Sequence, residues 1–132
     1  MQNAADLRID LNAVDNNGYS AFHWVAIKSR LDVLKIFMKN AAALKIDLNV
    51  IDSNGWTLRT GFHHACYYGH LDVVKIFMEN AAVLCIDLNA KRTNGKTAFH
   101  MACQGGSSDV VKIFMENATA LSIDLNTIDN YN

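Results

Sequence analysis

Apolar residues recur at a helical period in three stretches of the chain. From Leu31 onward, Val33, Leu34, Phe37, Met38, Ala41 and Leu44 follow the i, i+3, i+4 spacing of one helix face, and Asp32, Lys35 and Lys39 lie on the opposite, wet face. The same pattern returns from Leu71 and from Ser108, with Asp72 and Asp109 placed, like Asp32, near the positive end of a helix dipole. A shorter apolar stretch precedes each of these. It follows Ser20, Thr60 or Thr97, whose hydroxyls are expected to cap a first helix of eight or nine residues. That helix is expected to end near Ser29, Gly69 and Gly106, where a left-handed residue closes the turn; Ser29 makes the first of these turns the weaker one. Each helix is too short to be stable alone, so stacking on neighbours must hold it.

The pattern repeats in detail. The tetrapeptide IDLN begins at Ile9, Ile46, Ile86 and Ile123, in steps of 37, 40 and 37 residues. Asn-Gly follows at Asn17, Asn54 and Asn94, then Phe-His at Phe22, Phe62 and Phe99, then KIF at Lys35, Lys75 and Lys112. The three extra residues of the middle unit fall between Gly55 and His63, at Thr57-Leu58-Arg59, where they either lengthen a loop or lead into the first helix. Between helix pairs, IDLN and Asn-Gly suit an extended excursion ending in a tight turn, since Asn and Gly tolerate positive φ. The reading is one domain over 1–132: a partial repeat at 1–14, repeats at 15–51, 52–91 and 92–128, and the start of a further one at 129–132. Neither end carries a polar capping unit, which suggests a segment of a longer array.

Composition narrows the function. Twelve basic against thirteen acidic residues remove the cationic excess that phosphate backbones demand, so nucleic acid is not an expected partner. No apolar run reaches the roughly 20 residues that span a bilayer, and the start MQNAADLRID lacks a signal-peptide pattern, so no membrane association is expected and the chain reads as intracellular, with a cytoplasmic location expected from its thiols. Three cysteines without a CxxC pair fit reduced thiols.

The order D-x-N-G-x-[ST]-A-F-H, then A-C-x-x-G-H-L-D-V-V-K, then D-L-N-A resembles the ankyrin repeat across the whole chain. The middle unit matches best, with Gly69-His70-Leu71-Asp72-Val73-Val74 and Asp87-Leu88-Asn89-Ala90. The family's Thr-Pro-Leu-His stands as Ser20-Ala21-Phe22-His23, Thr60-Gly61-Phe62-His63 and Thr97-Ala98-Phe99-His100, without its Pro, which should weaken helix initiation slightly. The resemblance implies an all-α solenoid of stacked helix-turn-helix units with protruding hairpin-like fingers. Units of 37 residues, against the family's usual ~33, suggest a longer second helix.

Little here suggests catalysis. His23, His63 and His100 occupy one repeat position, which the resemblance implies is structural. His64 aligns with Trp24 and Met101, and His70 with Arg30 and Ser107, so neither recurs. The Asp10 to Gly18 loop offers Val14 where a calcium loop needs an oxygen ligand. Cys66 and Cys103 align with Ala26 and read as small buried residues; Cys85 aligns with Lys45 and Ser122 at an exposed position. The Asn117-Ala118-Thr119 sequon lies in a helix and is discounted. No enzyme, cofactor or metal is expected.

The expected function is a non-catalytic protein-protein interaction module, binding another protein through the concave face and finger tips that the resemblance implies. The contact residues carried over are Tyr19, Ile27 and Lys28; Trp56, Arg59, Tyr67 and Tyr68; Lys96 and Gln104, with Asn16, Asn17, Ser53, Asn54, Thr93, Asn94 and Gly105 beside them. A structural spacer in a long array and an engineered, consensus-like binder are the alternatives. A monomer is expected, with weak end-to-end association through uncapped termini left open. In the proteins it resembles, the position of Asn12, Asn49, Asn89 and Asn126 can be hydroxylated by an intracellular asparaginyl hydroxylase; a turn-stabilising role is the simpler reading.

Overall fold

The computed structural model describes residues 10–16, 18–46, 58–92 and 94–128, with the backbone alone at 58–60. Six α-helices form three pairs: α1 (Ala21–Ile27) with α2 (Leu31–Asn40), α3 (Leu58–Tyr68) with α4 (Leu71–Leu84), and α5 (Ala98–Gly105) with α6 (Ser108–Asn117). No strand occurs among the described residues; the finger of the first unit contributes an isolated bridge between Val14 and Ser20. Helices α1, α3 and α5 form one layer and α2, α4 and α6 a second, each packed on its counterpart in the next unit.

Local chemistry sets the helix ends. Ser20 and Thr97 cap α1 and α5 through reciprocal boxes: the His23 and His100 amides donate to the cap hydroxyls, while the cap amides donate to Nδ1 of His23 and His100 at 2.9 and 3.0 Å. These histidines therefore take the place that Glu or Gln holds in the usual capping box. The first helices close at Ser29, Gly69 and Gly106, all at positive φ, as the sequence predicts. A second set of left-handed residues was not predicted. Lys45, Cys85 and Ser122 sit at φ 53°, 56° and 54°, and the amides of Ile46, Ile86 and Ile123 reach back to the carbonyls of Ala41, Ala81 and Ala118. This is the helix-terminating geometry usually given to Gly, adopted here by L residues.

The core is a file of phenylalanines. The Phe-His and KIF motifs place two Phe 15 residues apart in every unit, and the six rings alternate between layers in the order Phe37, Phe22, Phe77, Phe62, Phe114, Phe99. Successive centroids lie 5.1–5.9 Å apart, within the range of favourable tilted ring pairs. Phe77 thus touches Phe22 of the preceding unit and Phe62 of its own. Leu34, Val73, Val74, Val110 and Cys66 fill the spaces around the file.

Four expectations are corrected. Thr60 does not cap the middle first helix: that helix already begins at Leu58, so the inserted residues lead into α3 and lengthen it to 11 residues, against 7 for α1 and 8 for α5. The second helix is extended in the middle unit alone, where α4 has 14 residues; α2 and α6 have 10 and give way to turns over 41–45 and 118–122. Val33 is 42% exposed, whereas its counterparts Val73 and Val110 are buried, because it faces away from the neighbouring pair. Cys103 is exposed where Cys66 is buried, because the flank of α5 that carries it has no described helix pair beyond it.

Candidate functional site

The layer of first helices is built for close approach. A Cβ on Gly61 would lie 2.7 Å from that of Ala26, and one on Gly105 would overlap the Tyr67 carbonyl group. Ala65, Ala98 and Ala102 are fully buried in the same layer. Helices α3 and α5 consequently make the most extensive helix contact of the fold, while the second helices touch less.

That layer carries aromatic and cationic groups in its first and second units. In the first unit, the Tyr19 ring meets His23 and Trp24 edge-on at 5.3 and 5.2 Å, and the Trp24 indole N–H donates to Asp15 Oδ2 at 3.0 Å. The Lys28 ammonium stands 6.0 Å from the Trp24 ring centre, at the edge of cation–π reach. In the second unit, Tyr68 lies 4.6 Å from His64, 4.9 Å from Tyr67 and 6.3 Å from His70, centroid to centroid. Tyr68 is 62% exposed and Trp24 41%. Burial, then His70, then Lys28 hold the His64 imidazole below its ordinary pKa, which places Lys28 of one unit within electrostatic reach of His64 in the next.

The predicted contact residues divide accordingly. Lys28, Tyr67, Tyr68 and Gln104 are exposed on the first-helix layer, and Ile27 is half-buried. Tyr19 packs on its own unit, and Lys96 is half-buried in its finger, where its carbonyl accepts from the Arg92 amide at 2.9 Å. Gly105 serves packing. Trp56, Asn17, Asn49, Ser53, Asn54 and Thr93 lie outside the described residues, as does the Arg59 side chain. Sequence reasoning passed over Trp24, His64 and His70 because they fall on positions that do not repeat; the signal was aromatic or imidazole character on the exposed flank of a first helix.

The IDLN asparagines hold the units together. Asp10, Asp87 and Asp124 each accept the amide of the residue two positions on, which fixes Asn12, Asn89 and Asn126 in place. Asn12 Nδ2 then donates to the Lys45 carbonyl at 3.1 Å and Asn89 Nδ2 to the Ser122 carbonyl at 2.8 Å, the left-handed residues of the next unit.

Among the described residues no group of three or more His, Cys, Asp or Glu side chains could hold a metal ion, and no helix is long and apolar enough to cross a membrane. No curated protein matches the chain. The family model described as ankyrin repeats, three copies, matches residues 2–86 and 45–129, nearly the whole length. Paired short helices, two packed layers and this match together establish that the chain belongs to the ankyrin-repeat family.

Proposed function

We propose that this chain is a non-catalytic, intracellular module that binds another protein through its first-helix layer, with Lys28, Tyr67 and Tyr68 as principal contacts and Ile27, Gln104 and the fingers around them. Ankyrin repeats are generally protein-protein interaction modules and typically lack catalysis. The observation that carries the reading is the exposure of Tyr67 and Tyr68 at 37% and 62% on the layer of first helices, where Trp24 is exposed as well. Tyrosines offer large contact area with few rotors to freeze and a hydroxyl that stays satisfied at a wet rim. A spacer would gain nothing from such rings in water.

The test is a pull-down from cell lysate with the wild-type chain beside Tyr67→Ala/Tyr68→Ala. Loss of one specific partner by the variant supports the module on this face; equal capture by both moves the contact elsewhere on the chain, and capture by neither supports a spacer.

Hydroxylation at Asn12, Asn49, Asn89 and Asn126 is a separate proposal. Since the Asn89 carboxamide is engaged on both sides, donating to Ser122 and accepting from the Asp124 amide, modification there requires the finger to leave the stack. Intact mass after incubation with an asparaginyl hydroxylase tests it: one added oxygen per site supports modification, and an unchanged mass ends it.

A further inference from the structure

We infer that Asn94-Gly95 is a deamidation site gated by the finger of the third unit: the closed finger holds the pair unreactive, and an open one lets the Asn94 carboxamide cyclise onto the Gly95 nitrogen and hydrolyse. The inference is independent of the partner surface proposed above.

Asn-Gly recurs at Asn17, Asn54 and Asn94, and making a tight turn does not exhaust its chemistry. Asparagine is among the chemically labile residues. Its carboxamide carbon is within covalent reach of the next backbone nitrogen, and a glycine at that place has no Cβ to obstruct the approach. Hydroxide removes the Gly95 amide proton, a bond forms between Gly95 N and Asn94 Cγ, and the Cγ–Nδ2 bond breaks as the leaving nitrogen takes a proton from water and departs as ammonia. Water then opens the cyclic imide. Cleavage of the new N–Cγ bond gives aspartate; cleavage of the original peptide bond gives isoaspartate, whose main chain runs through the side-chain methylene. The sum is hydrolysis of an amide, with water consumed, ammonia released and nothing oxidised or reduced.

In the folded finger both reacting groups are engaged elsewhere. The Gly95 N–H, whose proton must leave, donates to the Arg92 carbonyl at 2.8 Å. Asn94 Oδ1 accepts the Lys96 amide at 3.0 Å, which ties the carboxamide to the residue beyond Gly95. The Arg92 amide donates to the Lys96 carbonyl at 2.9 Å and closes the turn around both, and Arg92 Nη1 reaches Met101 Sδ on α5 at 3.6 Å. Gly95 itself is buried, at φ 81°. The first finger holds Gly18 in the same way, at φ 81° and 2.9 Å from the Asp15 carbonyl. Cyclisation at Asn94 therefore requires the Gly95–Arg92 and Asn94–Lys96 bonds to open together. A turn closed by a few hydrogen bonds opens ahead of helices packed on the phenylalanine file.

The product is a lasting mark of that opening. Either acid places a new carboxylate two positions before Lys96 and three before the Thr97 cap. Isoaspartate also lengthens the main chain between residue 94 and Gly95, so the Gly95 amide no longer meets the Arg92 carbonyl in register.

The test incubates the full chain in mildly alkaline buffer over a series of guanidinium chloride concentrations. Asn94 is followed by peptide mass mapping, with enzymatic methylation of isoaspartate as a second readout, and global unfolding by circular dichroism. Conversion in buffer alone should be at least about tenfold slower than in the unfolded chain, and it should rise at denaturant concentrations below the global transition. In full denaturant, where folding plays no part, Gly95→Ile should slow conversion by about tenfold or more, because its branched side chain obstructs the approach. No conversion of Asn94 in the unfolded chain would overturn the site. Equal rates in buffer and in denaturant, or a rate that rises only with the circular-dichroism transition, would overturn the finger as its gate.

Discussion

Asn89 and Asp124 lie 35 residues apart in sequence, yet the carboxamide oxygen of the first accepts the backbone amide of the second at 2.7 Å. The same carboxamide donates to the Ser122 carbonyl at 2.8 Å, so one side chain closes two backbone groups of the following unit. A short polar side chain thus does between units what a strand ladder does within a sheet.

Asn89→Ala leaves both backbone groups without their protein partner while changing no core volume. At about 1 kcal/mol for each lost hydrogen bond, partly offset by water, the substitution should cost roughly 1–2 kcal/mol in urea unfolding. Asn89→Asp keeps the acceptor and loses the donor, and should fall between the two. An unchanged midpoint for Asn89→Ala would show that the bridge does not couple the units.

Gly105→Ala should destabilise the protein despite its location in a helix. Alanine would gain about 1 kcal/mol in helix propensity, but its methyl group would overlap the Tyr67 carbonyl, and forcing packed backbones apart costs about 1–3 kcal/mol. Gly106→Ala meets open space and bears the cost of a left-handed residue alone, at φ 74°. Thermal melts should therefore place both variants below wild type; a Gly105→Ala variant as stable as wild type would refute the close approach.

Glycine should stabilise where L residues now hold left-handed φ. Ser29→Gly and Ser122→Gly relieve about 1–2 kcal/mol of strain against about 0.4–1 kcal/mol of added unfolded-state entropy. Each should raise the melting temperature by a few degrees, measured by calorimetry. A fall in both would mean that the hydroxyls contribute more than the strain costs.

Acid should weaken the fold through His64. Its folded-state pKa lies below the ordinary value of 6.5, because burial and then His70 and Lys28 oppose its charge. The unfolded chain therefore binds the proton more readily, and stability is lost as pH falls below about 6.5 toward the depressed folded value. His64→Gln should flatten the urea midpoint over that window. An unaltered slope would indicate that His64 titrates alike in both states.

Much of this fold can be read from the sequence because its determinants are local and recur. The IDLN steps, the Ser20 and Thr97 caps and the Gly69 and Gly106 closures each depend on a few adjacent residues, and all are found where the repeat predicts them. What failed was non-local or unrepeated. The expected Thr60 cap failed because the inserted Leu58 and Arg59 lie in α3, the second of the two outcomes the spacing left open, which makes Thr60 an interior residue. Left-handed Lys45, Cys85 and Ser122 escaped notice because no Gly marks them. Cys103 and Cys66 are identical residues at one repeat position, and only the presence of a helix pair on the far side separates buried from exposed. In the candidate surface, Lys28, Tyr67 and Tyr68 were legible as variable positions of the repeat, whereas the Lys28 approach to His64 crosses a unit boundary that spacing alone does not reveal.

The central claim is that binding resides on the first-helix layer of the middle unit. Calorimetric titration of the captured partner into Tyr68→Ala and, separately, Lys75→Ala/Glu79→Ala tests it most directly, because Lys75 and Glu79 are exposed on α4 in the second layer. Tyr68→Ala should cost about 2 kcal/mol, as a hot-spot tyrosine does, and Lys75→Ala/Glu79→Ala should leave affinity unchanged, both variants melting as wild type. Full affinity in Tyr68→Ala together with its loss in Lys75→Ala/Glu79→Ala would contradict the account and move the partner to the opposite face.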